Sequence, residues 1–366
     1  MPVHCAERTG VPVSQVVAVA PALPEHRYAQ EEITDAFASI VLPPGGDRSL
    51  LDRLHRSAGV RHRHLALPLP EYAGLIGFGA ANDAWIEVGT ALGARAVGDA
   101  LAAAGLTPSD VDVMVTTSVT GIAAPSLDAR LVPVLGLRSD LRRMPMYGLG
   151  CTAGAAGLAR LADLMRGDPD GVGVLLSVEL CSLTVQRGDT SIANLVASGL
   201  FGDGAAAVVM VGERKAAQLG LPGPRVVGSR SQLYPGTERH LGFDVVDTGF
   251  KIVLSADLPA LVESSLGPDL VGFLGDHDLK TGDIDSWVVH PGGPKVLRAV
   301  AAAADLPTGA LQRTWDSLSA VGNLSSSSVL HVLADVLADP TTEHGTPGLV
   351  MAMGPGFAVE LVLLAW

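Results

Sequence analysis

Aromatic side chains are scarce: Phe, Trp and Tyr make up 4% of the 366 residues, and charged residues only 17%. A core must therefore be built from Ala, Val and Leu, with 43 glycines at its tight contacts. Basic residues number 25 against 38 acidic ones, a net charge of −13. That excludes a general nucleic-acid binder, because phosphate contacts draw on an excess of cations. Three cysteines, Cys5, Cys151 and Cys181, form neither a CxxC pair nor a disulfide framework, which fits a reducing compartment. No apolar run reaches the roughly 18–20 residues of a membrane span; those over 172–178 and 357–366 stop short. Ala18-Val19-Ala20 imitates a signal-peptidase site, but Glu7, Pro12 and the shortness of the apolar run over 16–20 argue for a first strand and a cytoplasmic protein. What is present is apolar mass, 48% of the chain, enough for a large core in two domains or one duplicated unit.

Duplication is visible in the sequence. Leu106-Thr-Pro-Ser-Asp110-Val-Asp112-Val-Met-Val115 reads almost like Leu279-Lys-Thr-Gly-Asp283-Ile-Asp285-Ser-Trp-Val288, 173 residues later. The same offset sets Asn323 opposite Gly150 and Leu324 opposite Cys151, each opening a small-residue helical segment, 152–165 and 325–337. A second echo links Phe201-Gly-Asp-Gly-Ala-Ala-Ala with Met353-Gly-Pro-Gly-Phe-Ala-Val, both glycine turns feeding a strand. Buried strands are expected over 174–178 and 286–289, and helices over 88–104 and 158–165. Together they predict a layered α/β fold of two halves, 1–220 and 221–366, divided at the Pro/Gly-rich segment 221–224.

Cys151 lies in Gly148-Leu-Gly150-Cys151-Thr-Ala-Gly-Ala-Ala-Gly157, where glycines permit a sharp strand-to-helix turn. A thiol at a helix N-terminus is expected to have a lowered pKa. A small buried hydrophobe is the plain alternative. His290 ends a buried strand before Pro-Gly-Gly-Pro, facing the place where α/β sites form or, alternatively, bonded to a core carbonyl. Asn323 is either a helix N-cap or, through the repeat, a neighbour of the Cys151 turn. No pair of histidines has metal-ligand spacing, so no metal is expected; His62 and His64, which straddle arginines, read as solvated.

Cys151, His290 and Asn323, with Leu-Phe201-Gly-Asp-Gly, His290-Pro-Gly-Gly-Pro, Gly322-Asn323-Leu-Ser-Ser and Met353-Gly-Pro-Gly, together resemble the type III polyketide synthases, the chalcone synthase-like family of the thiolase-like superfamily. The resemblance runs from about residue 15 to the C-terminus. Ketoacyl-acyl carrier protein synthases are the near rival, but they usually follow the histidine with Gln-Ala-Asn. Hydroxymethylglutaryl-CoA synthases depend on a catalytic Glu, and Glu179 is not placed to supply it.

The resemblance implies a five-layered αβαβα fold and the iterative condensation of malonyl-CoA onto an acyl starter. Cys151 would be the nucleophile, with His290 and Asn323 stabilising the enolate. Phe201 would be the gatekeeper, with ordinary core as its plain alternative; a second family phenylalanine is Met353 here. Val119, Cys181, Thr184 and Ser325 would line the cavity, and Ala124 would reach a partner in a homodimer. Substrates would be CoA thioesters, with an acyl carrier protein as a further starter donor and no cofactor. CoA phosphates would meet the basic segment 51–63, through Arg53 and Arg56 with Arg48 weaker; a solvated basic face is the alternative. The small apolar lining favours an aliphatic starter and alkyl pyrones or resorcinols, with malonyl priming of an aromatic product as the competing choice. A catalytically silent acyl-binding subunit stays open as a different class.

Overall fold

The computed structural model describes residues 13–339 and 345–366; Cys5, Glu7 and Pro12 lie outside the described residues. The first strands are β1 (Ser14–Ala22), β2 (His26–Ala29), β3 (His62–Leu65), β4 (Val113–Thr117), β5 (Arg142–Met146), β6 (Val172–Leu180) and β7 (Asp203–Val211). After them come β8 (Arg225–Leu233), β9 (Leu241–Val246), β10 (Gly249–Leu254), β11 (Ser286–Val289), β12 (Pro347–Gly354) and β13 (Ala358–Ala365). Nine of them form one mixed sheet in the order β11-β12-β13-β8-β1-β7-β6-β4-β5, while β2 with β3 and β9 with β10 form separate ladders.

The strand directions repeat. In the first wing β4 runs parallel to β6, which is antiparallel to β7, itself antiparallel to β1. In the second wing β11 runs parallel to β12, which is antiparallel to β13, itself antiparallel to β8. The wings join where Ser14 pairs with Val226 and Gln15 with Arg225. Strands β6, β7 and β12 are buried along their whole length, so they carry Val, Leu and Ala on both faces instead of alternating with polar residues.

Three apolar layers separate the elements. Helices Gln30–Val41, Gly77–Ala103 and Leu127–Leu135 cover the outside of the first wing, with Phe37, Leu101 and Leu131 against Val174 and Val209. Helices Leu258–Gly275 and Pro294–Ala303 cover the second wing through Leu266, Leu270 and Leu297. Between the wings lie the helices Ala153–Arg166 and Ser328–Leu337, whose Leu158, Leu161 and Val329 meet Leu175, Val208 and Val350. Helix, sheet, helix, sheet, helix is the αβαβα arrangement. The two central helices approach closely because of their small residues. A Cβ added to Gly154 would lie 2.3 Å from the Ser326 carbonyl oxygen.

Two expectations shift. The helix expected from 88 begins at Gly77, because Ala80, Ala81 and Ala84 favour helix without showing an apolar period. The repeat keeps its 173-residue spacing from β4 to β11, but the turns that follow are two residues further apart. Gly150, at φ 51°, opens the short 3-10 turn Gly150–Thr152, and Ser325, at φ 49°, opens Ser325–Ser327. Ser325 is therefore the counterpart of Gly150, and Ser326, not Leu324, that of Cys151.

Candidate active site

The turn that carries Cys151 is made by backbone that only glycine adopts at ease. Gly148 has φ 89° and Gly150 φ 51°. The Gly354–Gly356 turn is packed hard against it: a Cβ on Gly150 would lie 2.6 Å from the Pro355 ring, and one on Gly354 2.8 Å from the Thr152 nitrogen. Cys151 is thereby buried, with Sγ 3.6 Å from the Ser325 hydroxyl oxygen. Burial pushes its thiol up to about 12, although the Ser325 hydroxyl works the other way. The lowered pKa expected from a helix N-terminus is therefore corrected. In this closed site, loss of solvent is the largest influence on the thiol, and the nearby Glu179 carboxylate acts in the same direction.

His290 directly follows β11. Its N–H donates to the Met351 carbonyl (2.8 Å) and its own carbonyl accepts from Gly292 N–H (2.9 Å). The ring is buried, and burial alone pushes its pKa down to about 3, so the imidazole is neutral at physiological pH. Nδ1 has no hydrogen-bond partner among the described residues. Asn323 is locked to the segment around Phe201. Its N–H donates to Leu200 O and its carbonyl accepts from Gly202 N–H, both at 2.9 Å. The side-chain Oδ1 accepts from Ser325 N–H at 2.8 Å. That contact fixes the amide orientation and leaves its NH2 group as the donor.

These elements enclose two chambers. Cys151, His290, Asn323, Met353 and Phe357 line one; Cys151, Val119, Cys181, Thr184 and Ser325 line the other. Phe201 belongs to both walls, at the place where they meet beside the thiol. Arg63 holds the Phe201 backbone from behind, its Nη1 donating to the carbonyl at 2.7 Å. That arginine is fully buried, and burial pulls its pKa down to about 10.

The segment 51–63 is therefore no single basic patch. Arg53 and Arg56 are exposed on helix Ser49–Ser57, but Arg63 and His55 are buried. His55 reaches Thr34 Oγ1 (2.8 Å) and Ser198 Oγ (3.0 Å) through its two ring nitrogens. The helix ends beside the turn after His290, since Gly59 faces Pro294 and both Ala58 and Val60 join the core of Leu200 and Leu297. His62 and His64, expected in solvent, are half-buried, and His64 bonds the Pro24 carbonyl at 2.6 Å.

The β9–β10 hairpin escaped the sequence reading. It brings Leu241, Phe243 and Ile252 to the Cys181 chamber and Leu254 to the His290 chamber. Its signal was there: alternating apolar residues on either side of Asp247-Thr248-Gly249. Glu179 lies outside both linings, behind the chamber wall. Its carboxylate accepts from Val119 N–H (3.1 Å), the Thr120 hydroxyl (2.8 Å) and the Ser326 hydroxyl, and burial raises its pKa.

Buried imidazoles also set the acid stability. Burial holds His55 and His290 at about 3 and His331 at about 4, all below the ordinary 6.5. Unfolding takes up those protons, so this contribution is complete above pH 6.5 and lost as pH falls towards 3–4. Asp203, raised by burial to about 6 from 3.8, acts in the opposite direction between those two values, and Glu179, Asp335 and Glu360, also raised by burial, act in the same sense as Asp203. Through the imidazoles, stability should fall on acidification. His331→Gln should flatten the fall by up to about 1.4 kcal/mol per pH unit in denaturation series; parallel slopes would contradict the assignment.

A layered αβαβα chain with a buried thiol where two chambers meet, and a histidine and an asparagine donor on one wall, defines a condensing enzyme acting on acyl thioesters. The family model for the N-terminal domain of chalcone and stilbene synthases matches residues 5–214, and that for the C-terminal domain residues 225–365. The chain belongs to this family, the type III polyketide synthases. It is 56% identical over 353 residues to 1,3,6,8-tetrahydroxynaphthalene synthase of Streptomyces peucetius subsp. caesius, covering 96% of this chain and 93% of that one. It is 29% identical over 344 residues to the phloroglucinol synthase of Pseudomonas fluorescens, covering 94% and 96%. Among solved structures, 1,3,6,8-tetrahydroxynaphthalene synthase from Streptomyces coelicolor A3(2) superposes with a TM-score of 0.89 at 31% identity, covering 96% of this chain and 99% of that one. Among the described residues no helix is long and apolar enough to cross a membrane.

Proposed function

We propose that this enzyme is malonyl-primed, assembles a pentaketide on Cys151 and closes it to 1,3,6,8-tetrahydroxynaphthalene. Five malonyl-CoA would give one naphthalene, five CoA, five carbon dioxide and one water. The observation that carries this reading is the 56% identity over 353 residues to the Streptomyces peucetius enzyme of that name.

In this reading the Cys151 thiol passes its proton through neutral His290 to the departing CoA thiolate as the acyl group arrives. The next malonyl thioester enters the His290 chamber. There the Asn323 NH2 and the ring N–H of neutral His290 donate to its carbonyl oxygen as carbon dioxide leaves and the enolate forms. The enolate carbon attacks the Cys151 thioester, the thiolate leaves, and the lengthened chain returns from CoA to Cys151. Phe201 narrows the passage between chambers and keeps water from the thioester. Arg53 and Arg56 serve the CoA phosphates from the exposed side of their helix. A cytoplasmic homodimer without a cofactor beyond its CoA substrates completes the proposal, with residues 1–220 and 221–366 as its two halves.

The lining of the Cys181 chamber favours a second reading. Val119, Val185, Ala197 and Leu241 are apolar, and a buried methylene gains about 0.8 kcal/mol, so an aliphatic starter leading to alkyl pyrones or resorcinols also fits. Products from malonyl-CoA alone, and from malonyl-CoA with a panel of acyl-CoA starters, distinguish the two by mass. Malonyl-CoA alone is expected to yield tetrahydroxynaphthalene. Products only with acyl-CoA would favour the aliphatic reading, and consumption of neither would leave an acyl-binding subunit. A requirement for malonyl on a carrier protein, with a single condensation, would identify a priming synthase.

A further inference from the structure

We propose that Gln186 is a positioning residue: its side chain latches the β9–β10 hairpin over the acyl chamber and so sets how far the polyketide grows before release. The inference rests on the family's iterative reaction, not on the choice of starter. Among the described residues the hairpin pairs only with itself, six residues against six from Gly249–Val246 to Leu254–Leu241. Its inner face, Leu241, Phe243 and Ile252, is one wall of the chamber that holds Cys151. Its tip is exposed, Val245 at 75%.

Few directional contacts hold this wall to the body of the protein. Phe250 packs on Phe78 and Tyr147 at ring-centroid distances of 5.3 and 6.3 Å, contacts that tolerate sliding. Lys251 pairs with Asp189 at 3.0 Å, but the lysine side chain is 43% exposed, so solvent weakens the pair. Arg239, just before the hairpin, pairs with Asp244 in solvent, and among the described residues the remaining hydrogen bonds to residues 241–254 from outside the hairpin are those of Gln186. Its Nε2 donates to the Phe250 carbonyl at 3.2 Å, and its Oε1 accepts from the Thr248 hydroxyl. Gln186 is 6% exposed, so these bonds stand largely out of competition with water.

The body side of the latch is itself fixed to the chamber. Gln186 Nε2 also donates to the Thr184 carbonyl at 3.0 Å. Its backbone N–H donates to Asn194 Oδ1 (3.1 Å), and its carbonyl accepts from Asn194 Nδ2 (2.9 Å). Thr184 and Asn194 both line the chamber, and the helix Ile192–Leu200 that carries Asn194 runs into Phe201. One amide thus joins opposite walls of the space in which the chain is extended. Releasing it lets the wall move outward, and a half-grown chain gains room to fold back on itself. The enol oxygen then attacks the thioester carbon, a C–O bond forms, the C–S bond breaks, and the enol proton leaves with the thiolate as a lactone is released.

The test compares the wild type with Gln186→Leu, which keeps bulk and removes both polar ends. Hydrogen exchange over residues 241–254, product masses, and kcat and KM for malonyl-CoA consumption are the readouts. Exchange should quicken, and truncated lactones should rise about tenfold relative to the full-length product, while kcat and KM stay within about twofold because Cys151, His290 and Asn323 are held by other elements. Faster exchange with an unchanged product ratio would overturn the proposal, and so would unchanged exchange. Should Gln186→Leu fail to fold, Thr248→Val removes the hairpin's donor from an exposed position and is judged by the same outcomes. A wild type that made no polyketide would refute the proposed function, and the exchange comparison would still decide the latch.

Discussion

Cys151→Ala should lower product formation by roughly four orders of magnitude or more and abolish any covalent acyl adduct. Alanine fits the same buried turn, so the chambers persist and only the nucleophile is lost. Cys181 lies in the same chamber yet cannot take over. Burial and then the neighbouring Glu179 push its thiol well above the usual range, and no base stands beside it in the described lining. Cys181→Ala should therefore keep the adduct. Intact-protein mass spectrometry of both variants after exposure to malonyl-CoA checks the pair. An adduct surviving in Cys151→Ala would remove the assigned nucleophile.

Asn323→Asp should cost more than Asn323→Ala. The alanine variant loses one preorganised donor to the enolate, a reduction of roughly 100–1,000-fold in decarboxylation. The aspartate variant adds a negative charge where negative charge develops. Both variants should still load acyl groups onto Cys151, because the thiol's nearest hydroxyl partner is Ser325. His290→Ala should impair loading as well, since a thiol held at about 12 needs a base to take its proton. Release of carbon dioxide from malonyl-CoA and adduct formation, measured side by side, separate these outcomes. Decarboxylation by Asn323→Asp at the wild-type rate would contradict the role given to the amide.

Much of this architecture is legible without coordinates, because doubly buried strands leave continuous apolar runs. The run over 174–178 is the middle of β6, and 286–289 is the whole of β11. The repeat was legible in its strands, where burial restricts the residues, and slipped by two residues in the turn, where Ser325 takes the left-handed backbone that Gly150 takes in the first half. Chemistry in motifs was more readable than the environment around them. Cys151, His290 and Asn323 stand out by their glycine and proline neighbours. That burial would keep the thiol protonated depends on the Gly354–Gly356 turn packing across it, through Pro355 against Gly150, two residues far apart in sequence. Arg63 was misread for the same reason: a basic residue in a basic run looks solvated until Gln30 and the Phe201 carbonyl are brought to it. The hairpin carried a pairing signal but no chemical motif, and which way its apolar face turned depends on contacts with Gln186, Phe78 and Tyr147.

The most direct test of the account is the acyl state of Cys151 during turnover. The wild type is mixed with malonyl-CoA, quenched at short times in acid, digested and examined by mass spectrometry. The peptide containing Cys151 should carry a ladder of thioester adducts, each one ketide unit (C2H2O) heavier than the last and none longer than the pentaketide. Adducts confined to Cys181, or product formed while the Cys151 peptide stays unmodified, would contradict the claim that the chain grows on Cys151 where the two chambers meet.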